Sequence, residues 1–313
     1  MKRWLIALAV AVGLVFAASF IFFPNSVTSA NVVNLPCNFN TLNRFILTQS
    51  QWKKWWPGTI TEDSTAHSEV FNYNGYNFYI REFRYNAISI EMKRQELEIK
   101  GNIYFLPLKG DTIRAEWKYN LTSDNNPVSR IHLKMETERI NRNMQQILQS
   151  MRTFVSNSDN IYGMKIRETW VKDTLVVMTE FSTPEVPSTK MIYEKIGGIK
   201  KYIAYHRGLQ TDPPMVNMTR KSDGYLTKVG IPVNRDIPTN KTYSLKYLVP
   251  GRILEGEVTG GRARADEALF QLGEYVRDYH YSSPAIPFQS LVTDRMAEPD
   301  STKWITRVYY PVF

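Results

Sequence analysis

Apolar and polar residues follow different patterns in successive parts of the chain, and the first pattern is an unbroken apolar run. The twenty residues from Trp4 to Phe23 carry no charge and follow Met1-Lys2-Arg3. At about 1.5 Å per residue, a helix of this length covers the roughly 30 Å hydrocarbon core of a bilayer. The run predicts a single transmembrane helix. Lys2 and Arg3 place its N-terminus in the cytoplasm and the rest of the chain outside, as a periplasmic or extracellular part of a cell-membrane protein.

A cleaved secretory signal is the alternative interpretation of the same segment. Small residues at Ser26–Ala30 resemble a cleavage site, although the apolar part of a typical signal has only about 7 to 15 residues. The longer run favours an uncleaved anchor, so residues 1–31 are assigned to a transmembrane anchor and linker. On this interpretation, the membrane is a predicted partner of the protein and is contacted by residues 4–23.

A period of two replaces the apolar run beyond the linker. Its clearest example is Ile113-Ala115-Trp117-Tyr119-Leu121, in which every second residue is apolar. This alternation is typical of strands in a half-buried antiparallel sheet. The region ends with apolar residues three and four positions apart between Ile140 and Val155, which predicts a long amphipathic helix.

This order of elements resembles the helix-grip fold of the START and polyketide-cyclase (SRPBCC) superfamily, over residues 32–157. The run Trp-Lys-Lys-Trp-Trp-Pro-Gly at 52–58 is similar to the tryptophan-rich end of the first helical region in bacterial members. The resemblance implies an α+β fold in which a curved antiparallel sheet surrounds the final helix and leaves a cavity for a lipid-like or aromatic ligand. Trp56, Trp117 and Tyr119 are the candidate lining residues. For Trp56, as for Trp52 and Trp55, plain core packing is the alternative.

The remaining residues, 162–313, contain an internal repeat. Tyr205-His206 recurs as Tyr279-His280, and Pro214 recurs as Pro287, at offsets of 74 and 73 residues. Each copy ends in an apolar residue followed by Pro-Val. The pattern predicts two strand-helix-strand-strand units in tandem, related by pseudo-symmetry.

This repeat resembles the GyrI-like small-molecule-binding domain, on Gly260-Gly261 before the second helix and the ending Trp-Ile-Thr-Arg-Val-Tyr-Tyr-Pro-Val at 304–312. The resemblance implies a groove between the two units that takes planar apolar compounds, and some members hydrolyse reactive small molecules. Where the family places acidic residues, this chain has Gln289 and Arg307, which favours a neutral or anionic ligand. The candidate ligand-binding residues are Tyr225, Gln289, Arg307 and Tyr309.

Composition and charge narrow the classes of function. The net charge of +9 comes from 39 Lys and Arg against 30 Asp and Glu, but the basic residues form short clusters rather than a stripe interleaved with aromatics. No nucleic-acid partner is therefore predicted. Cys37 is the only cysteine in the sequence, so an internal disulfide and a thiolate metal cage are excluded.

Catalytic motifs are missing from the sequence. It contains no His-Glu-x-x-His, Gly-x-Ser-x-Gly or Gly-x-x-x-x-Gly-Lys. Glu255, Glu257 and Glu180 are weak candidates for acid/base catalysis, against the commoner role of solvated surface glutamates. We therefore predict a non-catalytic protein that binds a small apolar or aromatic molecule, with no cofactor and no metal. The alternatives are a hydrolase or cyclase acting on such a molecule and a cell-envelope protein-interaction module.

Overall fold

The computed structural model of the chain describes residues 24–63, 68–124, 126–171, 175–283 and 285–313. The chain divides into two compact units, of which the first ends at Ser156 and the second comprises Asn157–Phe313. Each unit is built on one antiparallel sheet.

The first unit has a seven-stranded sheet in the order β1-β7-β6-β5-β4-β3-β2. Apart from β1, the strands follow one another in sequence. From β3 to β7 each is joined to the next by a short turn such as Asn74-Gly75, where both residues have positive φ. Its elements are β1 (Ser26–Leu35), α1 (Phe39–Phe45), a 3-10 turn (Gln49–Lys54), β2 (Thr59–Asp63), β3 (Ser68–Tyr73), β4 (Tyr76–Arg84), β5 (Ala87–Arg94), β6 (Leu97–Leu108), β7 (Thr112–Thr122) and α2 (Pro127–Val155).

The helix α2 confirms the predicted amphipathic helix at the end of the first unit. Its buried side chains include Ile140, Met144, Ile147 and Met151, which recur three and four positions apart. The helix begins after Asn126, whose side chain accepts a hydrogen bond from the backbone N–H of Ser129, and Pro127 occupies the first turn. These local signals fix where the helix starts and which side it buries.

The strand β1 begins earlier than predicted and takes in most of the predicted linker. Alternate residues from Ser26 onward are partly buried, and the whole strand pairs with β7. Ser29 Oγ and Asn31 Nδ2 donate hydrogen bonds of 2.8 and 2.9 Å to Asn141 Oδ1 on α2. Two of the inward positions are polar because they bond to the helix, which is why the apolar pattern does not show the first part of this strand.

The second unit has an eight-stranded sheet in the order β12-β9-β11-β10-β14-β15-β13-β8. It contains strand-helix-strand-strand twice, as β9-α4-β10-β11 and as β13-α5-β14-β15, and the two copies meet where β10 pairs with β14. Its elements are α3 (Ser158–Tyr162), β8 (Ile166–Trp170), β9 (Leu175–Thr183), α4 (Thr189–Tyr205), β10 (Met215–Lys221), β11 (Gly224–Pro232), β12 (Ser244–Tyr247), β13 (Arg252–Thr259), α5 (Arg262–Asp278), β14 (Phe288–Leu291), a 3-10 turn (Ser301–Lys303) and β15 (Ile305–Val312).

Both long helices of the second unit cover the same face of this sheet. Ile196 and Ile199 of α4 pack against Val229 of β11, and Leu272 of α5 packs against Val308 of β15. Burying these apolar side chains stabilises the unit by roughly 1.5–3 kcal/mol for each large residue. We call this side the helix face and the other side the open face.

The two helices end in the same way, which corrects the predicted alignment of the repeat by one residue. Gly208 N–H bonds to Ile203 O and Tyr281 N–H to Val276 O, and the residue before each donor, Arg207 or His280, has a φ near +56° (57° and 55°). The matching residues are 73 apart, so His280 corresponds to Arg207 and not to His206.

The fold class predicted from the sequence is wrong. The described residues form two large antiparallel sheets with few helices, and not a helix-grip domain behind a transmembrane helix. Strand pairing takes up more of the chain than apolar alternation indicates, because polar residues such as Asn31 also occupy inward strand positions.

The predicted single-pass membrane location is corrected as well. Among the described residues, no helix is both long and apolar enough to cross a membrane. The longest, α2, carries arginines and glutamates along its length. The run from Trp4 to Phe23, on which that prediction depended, lies outside the described residues.

Candidate functional site

An apolar cavity of about 450 Å³ lies on the open face of the second unit's sheet. Successive residues of a strand point to opposite faces, and most of the strand residues that line this cavity alternate with the helix-facing core. The other lining residues belong to the segment after β12 and to the residues that follow β8, precede β14 and follow β15. The lining residues are Val171, Val176, Met178, Met215, Val216, Asn217, Lys228, Gly230, Lys246, Leu248, Val249, Gly251, Arg252, Ile253, Ala285, Ile286, Phe288, Pro311, Val312 and Phe313.

The floor of the cavity depends on an aromatic pair and a glycine. Phe288 of β14 stacks on Tyr309 of β15 with their ring centroids 5.0 Å apart, as their direct pairing in the sheet requires. Gly230 of β11 has no side chain to enter the cavity. A β-carbon at this position would lie 2.6 Å from Val176 Cγ1. A side chain here would have to displace its neighbour and would fill part of the cavity.

Among the described residues, the charged side chains that line this cavity all have the same sign. Lys228, Lys246 and Arg252 border it, and no Asp or Glu of the described ranges does. Arg252 is paired with Glu168, at 3.3 Å between Nη1 and Oε1, so the two lysines are the cations for which the structure gives no carboxylate partner within the described ranges. An apolar wall with a cationic rim disfavours a positively charged ligand and favours a neutral or anionic one.

A second, polar cavity of about 280 Å³ adjoins the first. The two share lining residues from the floor, including Met215 and Phe288, and together form one groove. The polar end is lined by Asp212, Glu255 and Arg307, alongside Tyr309.

The charges at the polar end are largely paired. Arg167 Nη2 lies 2.6 Å from Glu255 Oε1, and Arg307 Nε lies 2.8 Å from Glu257 Oε2. Burial raises the pKa of Tyr309 to about 12, and the negative charges of Glu255 and Asp212 act in the same direction. The Tyr309 phenol therefore stays protonated at neutral pH, and its hydrogen bond with Glu255 holds it at the polar end.

The structure brings three of the sequence-predicted residues together and separates Gln289 from them. Glu255, Arg307 and Tyr309 line the polar end of the groove. Gln289 pairs with Val308, which lies in the core under α5, so its side chain points to the helix face and its Nε2 donates to Asp266 Oδ1 at 2.7 Å. Arg307 precedes Val308, the pairing partner of Gln289, on β15. Since successive residues of a strand point to opposite faces, Arg307 and Gln289 lie on opposite faces of the sheet.

The other predicted residues of the second unit lie away from the groove or at its edge. Tyr225 lines a separate depression at the start of β11, with Thr183 and Asp223 among its neighbours. Glu180 is exposed and lies opposite Lys228 in the sheet. Glu257 is exposed and holds Arg307 rather than facing a cavity.

The candidate residues of the first unit lie in its packed interior. Trp56 and Trp117 flank Phe78, with ring centroids 5.3 and 6.0 Å from it, and Trp117 is fully buried. Tyr119 donates a hydrogen bond of 3.1 Å to Asn141 Oδ1 of α2. For Trp56, these contacts match the core-packing alternative.

Sequence reasoning missed Phe288, Met178, Met215 and Lys228 as groove residues. A signal for three of them was available, because Met178, Met215 and Lys228 alternate with Val177, Val216 and Val229 of the apolar core. Identifying the groove face also requires knowing which strands are neighbours, and that order does not follow the sequence.

The chain has only limited similarity to known proteins. Neither a protein-family model nor a curated protein sequence matches the chain. Solved structures with some similarity include the EcmrR C-terminal domain (15% identity, TM-score 0.42, covering 48% of this chain and 98% of that one). They also include a hydrolase from Listeria innocua (11%, 0.36, 48% and 92%) and SAV2435 bound to tetraphenylphosphonium (12%, 0.33, 48% and 94%). At this level of similarity, function has to be inferred from the residues of the groove.

Proposed function

We propose that the second unit binds a small, mainly apolar molecule in the groove on the open face of its sheet, without catalysis. The observation that carries this proposal is the composition of the apolar cavity, which has a floor of Met178, Met215 and Phe288 and no acidic side chain among its described lining residues. Its volume of about 450 Å³ lies within the 300–1,000 Å³ that is usual for small-molecule sites. The resemblance of residues 162–313 to GyrI-like small-molecule-binding domains supports the same proposal.

The groove also suggests how the ligand is oriented. Each buried methylene group of a ligand contributes about 0.8 kcal/mol, so the apolar end supplies most of the affinity. Lys228 and Lys246 stand at its rim, where an anionic group stays partly hydrated while it contacts an ammonium. Asp212, Arg307 and Tyr309 provide polar groups at the other end.

Binding is favoured over catalysis by the state of the carboxylates. A general base needs a carboxylate that reaches the substrate's proton, whereas Glu255 is engaged by Arg167 and Glu257 by Arg307. Neither candidate is set up to remove a proton from a molecule in the apolar cavity.

Calorimetric titration of the full chain, without detergent, tests the proposal with three twelve-carbon compounds: dodecanoate and dodecylammonium below their micelle concentrations, and dodecanol below its solubility limit. We expect dodecanoate and dodecanol to bind and dodecylammonium to bind at least tenfold more weakly, because the rim is cationic. No detectable binding of any of the three would contradict the proposal.

A pair of matched variants locates the binding site. Met178→Asp places a carboxylate in the apolar floor, so dodecanoate binding should be lost. Met191→Asp makes the same change on α4, where the side chain is exposed on the other side of the unit, and should leave binding intact. Equal binding by both variants would place the ligand elsewhere.

A further inference from the structure

A small cavity of about 10 Å³ lies on the helix face of the second unit, at the first turns of α4 and α5. Its lining combines two arginines with polar and apolar side chains from both copies of the repeat. The lining residues are Thr189, Ile192, Tyr193, Val216, Met218, Arg262, Gln289, Leu291 and Arg295.

Arg295 is a buried cation whose hydrogen bonds are incomplete. The residue is 8% exposed, and its Nε has no hydrogen-bond partner. Its Nη2 donates to Thr306 Oγ1 at 2.9 Å, and its guanidinium lies 4.8 Å from the centre of the Trp304 ring. Within the described residues, Arg295 forms no ion pair. A buried charge without a counter-ion is costly, and burial accordingly lowers the pKa of Arg295.

Arg262 adds a second guanidinium. Its Nη1 donates to Pro187 O at 2.8 Å, whereas its Nη2 contacts Met218 Sδ at 2.8 Å, and a thioether is a poor acceptor. Its Nε lies 3.4 Å from Asp266 Oδ2, while the other oxygen of Asp266 accepts the hydrogen bond from Gln289. The region therefore holds two guanidiniums and one carboxylate, which leaves donors and positive charge in excess.

The helix ends increase this positive potential. Thr189 and Arg262 are the first residues of α4 and α5, and both line the cavity. Gly261 directly precedes α5 and has no side chain, so no side chain caps that helix. The N-terminus of a helix carries a partial positive charge and N–H groups without intrahelical partners.

We propose that this cavity binds one monovalent anion of about the size of chloride, as the counter-ion of Arg295 and Arg262. A cavity of about 10 Å³ is close to the minimum for one water-sized species, and the flexible Met218 side chain can shift to admit a slightly larger ion. This site lies on the opposite face of the sheet from the groove and does not depend on the proposed function.

Bromide gives a direct test, because it replaces chloride and scatters anomalously. Crystals of the full chain grown in sodium bromide should show an anomalous peak between the guanidiniums of Arg262 and Arg295. In solution, the Tm of the full chain should rise with bromide concentration and saturate, relative to sodium gluconate at the same ionic strength.

Two variants connect the Tm effect to the site. Arg295→Gln should abolish the difference between the two salts, whereas Arg220→Gln, an exposed position on β10, should retain it. If Arg295→Gln does not fold, the anomalous map of the unaltered chain still decides. Absence of a peak in the cavity, together with equal Tm values in both salts, would overturn the proposal.

Discussion

The interior of the first unit and the groove of the second use aromatic side chains in opposite ways. In the first, Trp52 stacks on Trp56 at 5.8 Å, Trp56 contacts Phe78, and Phe78 contacts Trp117, so aromatic rings fill the space between sheet and helix. In the second, Phe288 and Tyr309 stack on each other and leave a cavity beside them. The residue type does not tell a filled interior from a ligand wall, whereas the neighbours on the same face do.

The largest expected effect comes from removing a ring of the filled interior. Trp117→Ala should lower the free energy of unfolding by about 3–5 kcal/mol, because the ring is fully buried and leaves a cavity. Urea denaturation followed by circular dichroism measures this loss. Trp170→Ala, at a position 67% exposed, should change it by no more than about 0.5 kcal/mol.

The same variant sharpens the contrast between the units. Folded Trp117→Ala protein should bind dodecanoate as tightly as the unaltered chain, since this residue has no part in the groove. Weaker binding without a loss of stability would show instead that the first unit holds the ligand.

The next effect concerns the groove floor. Phe288→Ala should weaken dodecanoate binding about tenfold, or about 1.4 kcal/mol, because the ligand loses an aromatic surface that lines both parts of the groove. Phe270→Ala, on α5 and 56% exposed, is the matched control and should bind normally in the same calorimetric titration.

A smaller effect is expected at the rim. Lys228→Met should weaken dodecanoate about three- to fivefold, a loss of less than about 1 kcal/mol that is typical of a solvated charge contact, and leave dodecanol unchanged. Lys200→Met, exposed on α4, should alter neither dissociation constant. An equal loss for both ligands would mean that Lys228 acts through its shape and not its charge.

The smallest effect is the alkaline titration of Tyr309. Its pKa is raised to about 12, against a model-peptide value near 10, so the folded state retains a proton that the unfolded state has released. The stability from this group is complete below pH 10 and is lost as the pH rises from 10 to 12. Partial exposure limits the loss to about 1 kcal/mol or less.

Absorbance at 295 nm, which follows tyrosine ionisation, checks this prediction. Tyr309→Phe should remove one tyrosine that ionises near pH 12, as should Tyr76→Phe in the first unit, whose pKa burial also raises to about 12. Loss of an ionisation near pH 10 in Tyr309→Phe would contradict the buried position of this phenol.

Local elements were predictable wherever one face of a helix or strand is apolar. The alternation from Ile113 to Leu121 corresponds to β7, and the helical spacing after Ile140 corresponds to the second half of α2. Both patterns arise because each element buries one side. The start of β1 was not predictable in this way, since Ser29 and Asn31 face inward and bond to Asn141.

The site was predictable only in part, for a related reason. Arg307 and Tyr309 are two residues apart on β15 and share the open face, as the strand period requires. Gln289 belongs to the other face, and this follows only from its pairing with Val308 across two strands. The resemblance that singled out Gln289 contains no information about this pairing, and the bonds of Gln289 to Asp266 and of Glu257 to Arg307 join residues far apart in sequence.

A crystal structure of the full chain with dodecanoate tests the central claim most directly. We predict density for the alkyl chain along Phe288 and Met178, with the carboxylate within hydrogen-bonding distance of Lys228 or Lys246. Dodecanoate bound in the interior of the first unit or on the helix face of the second, with an empty groove, would contradict it.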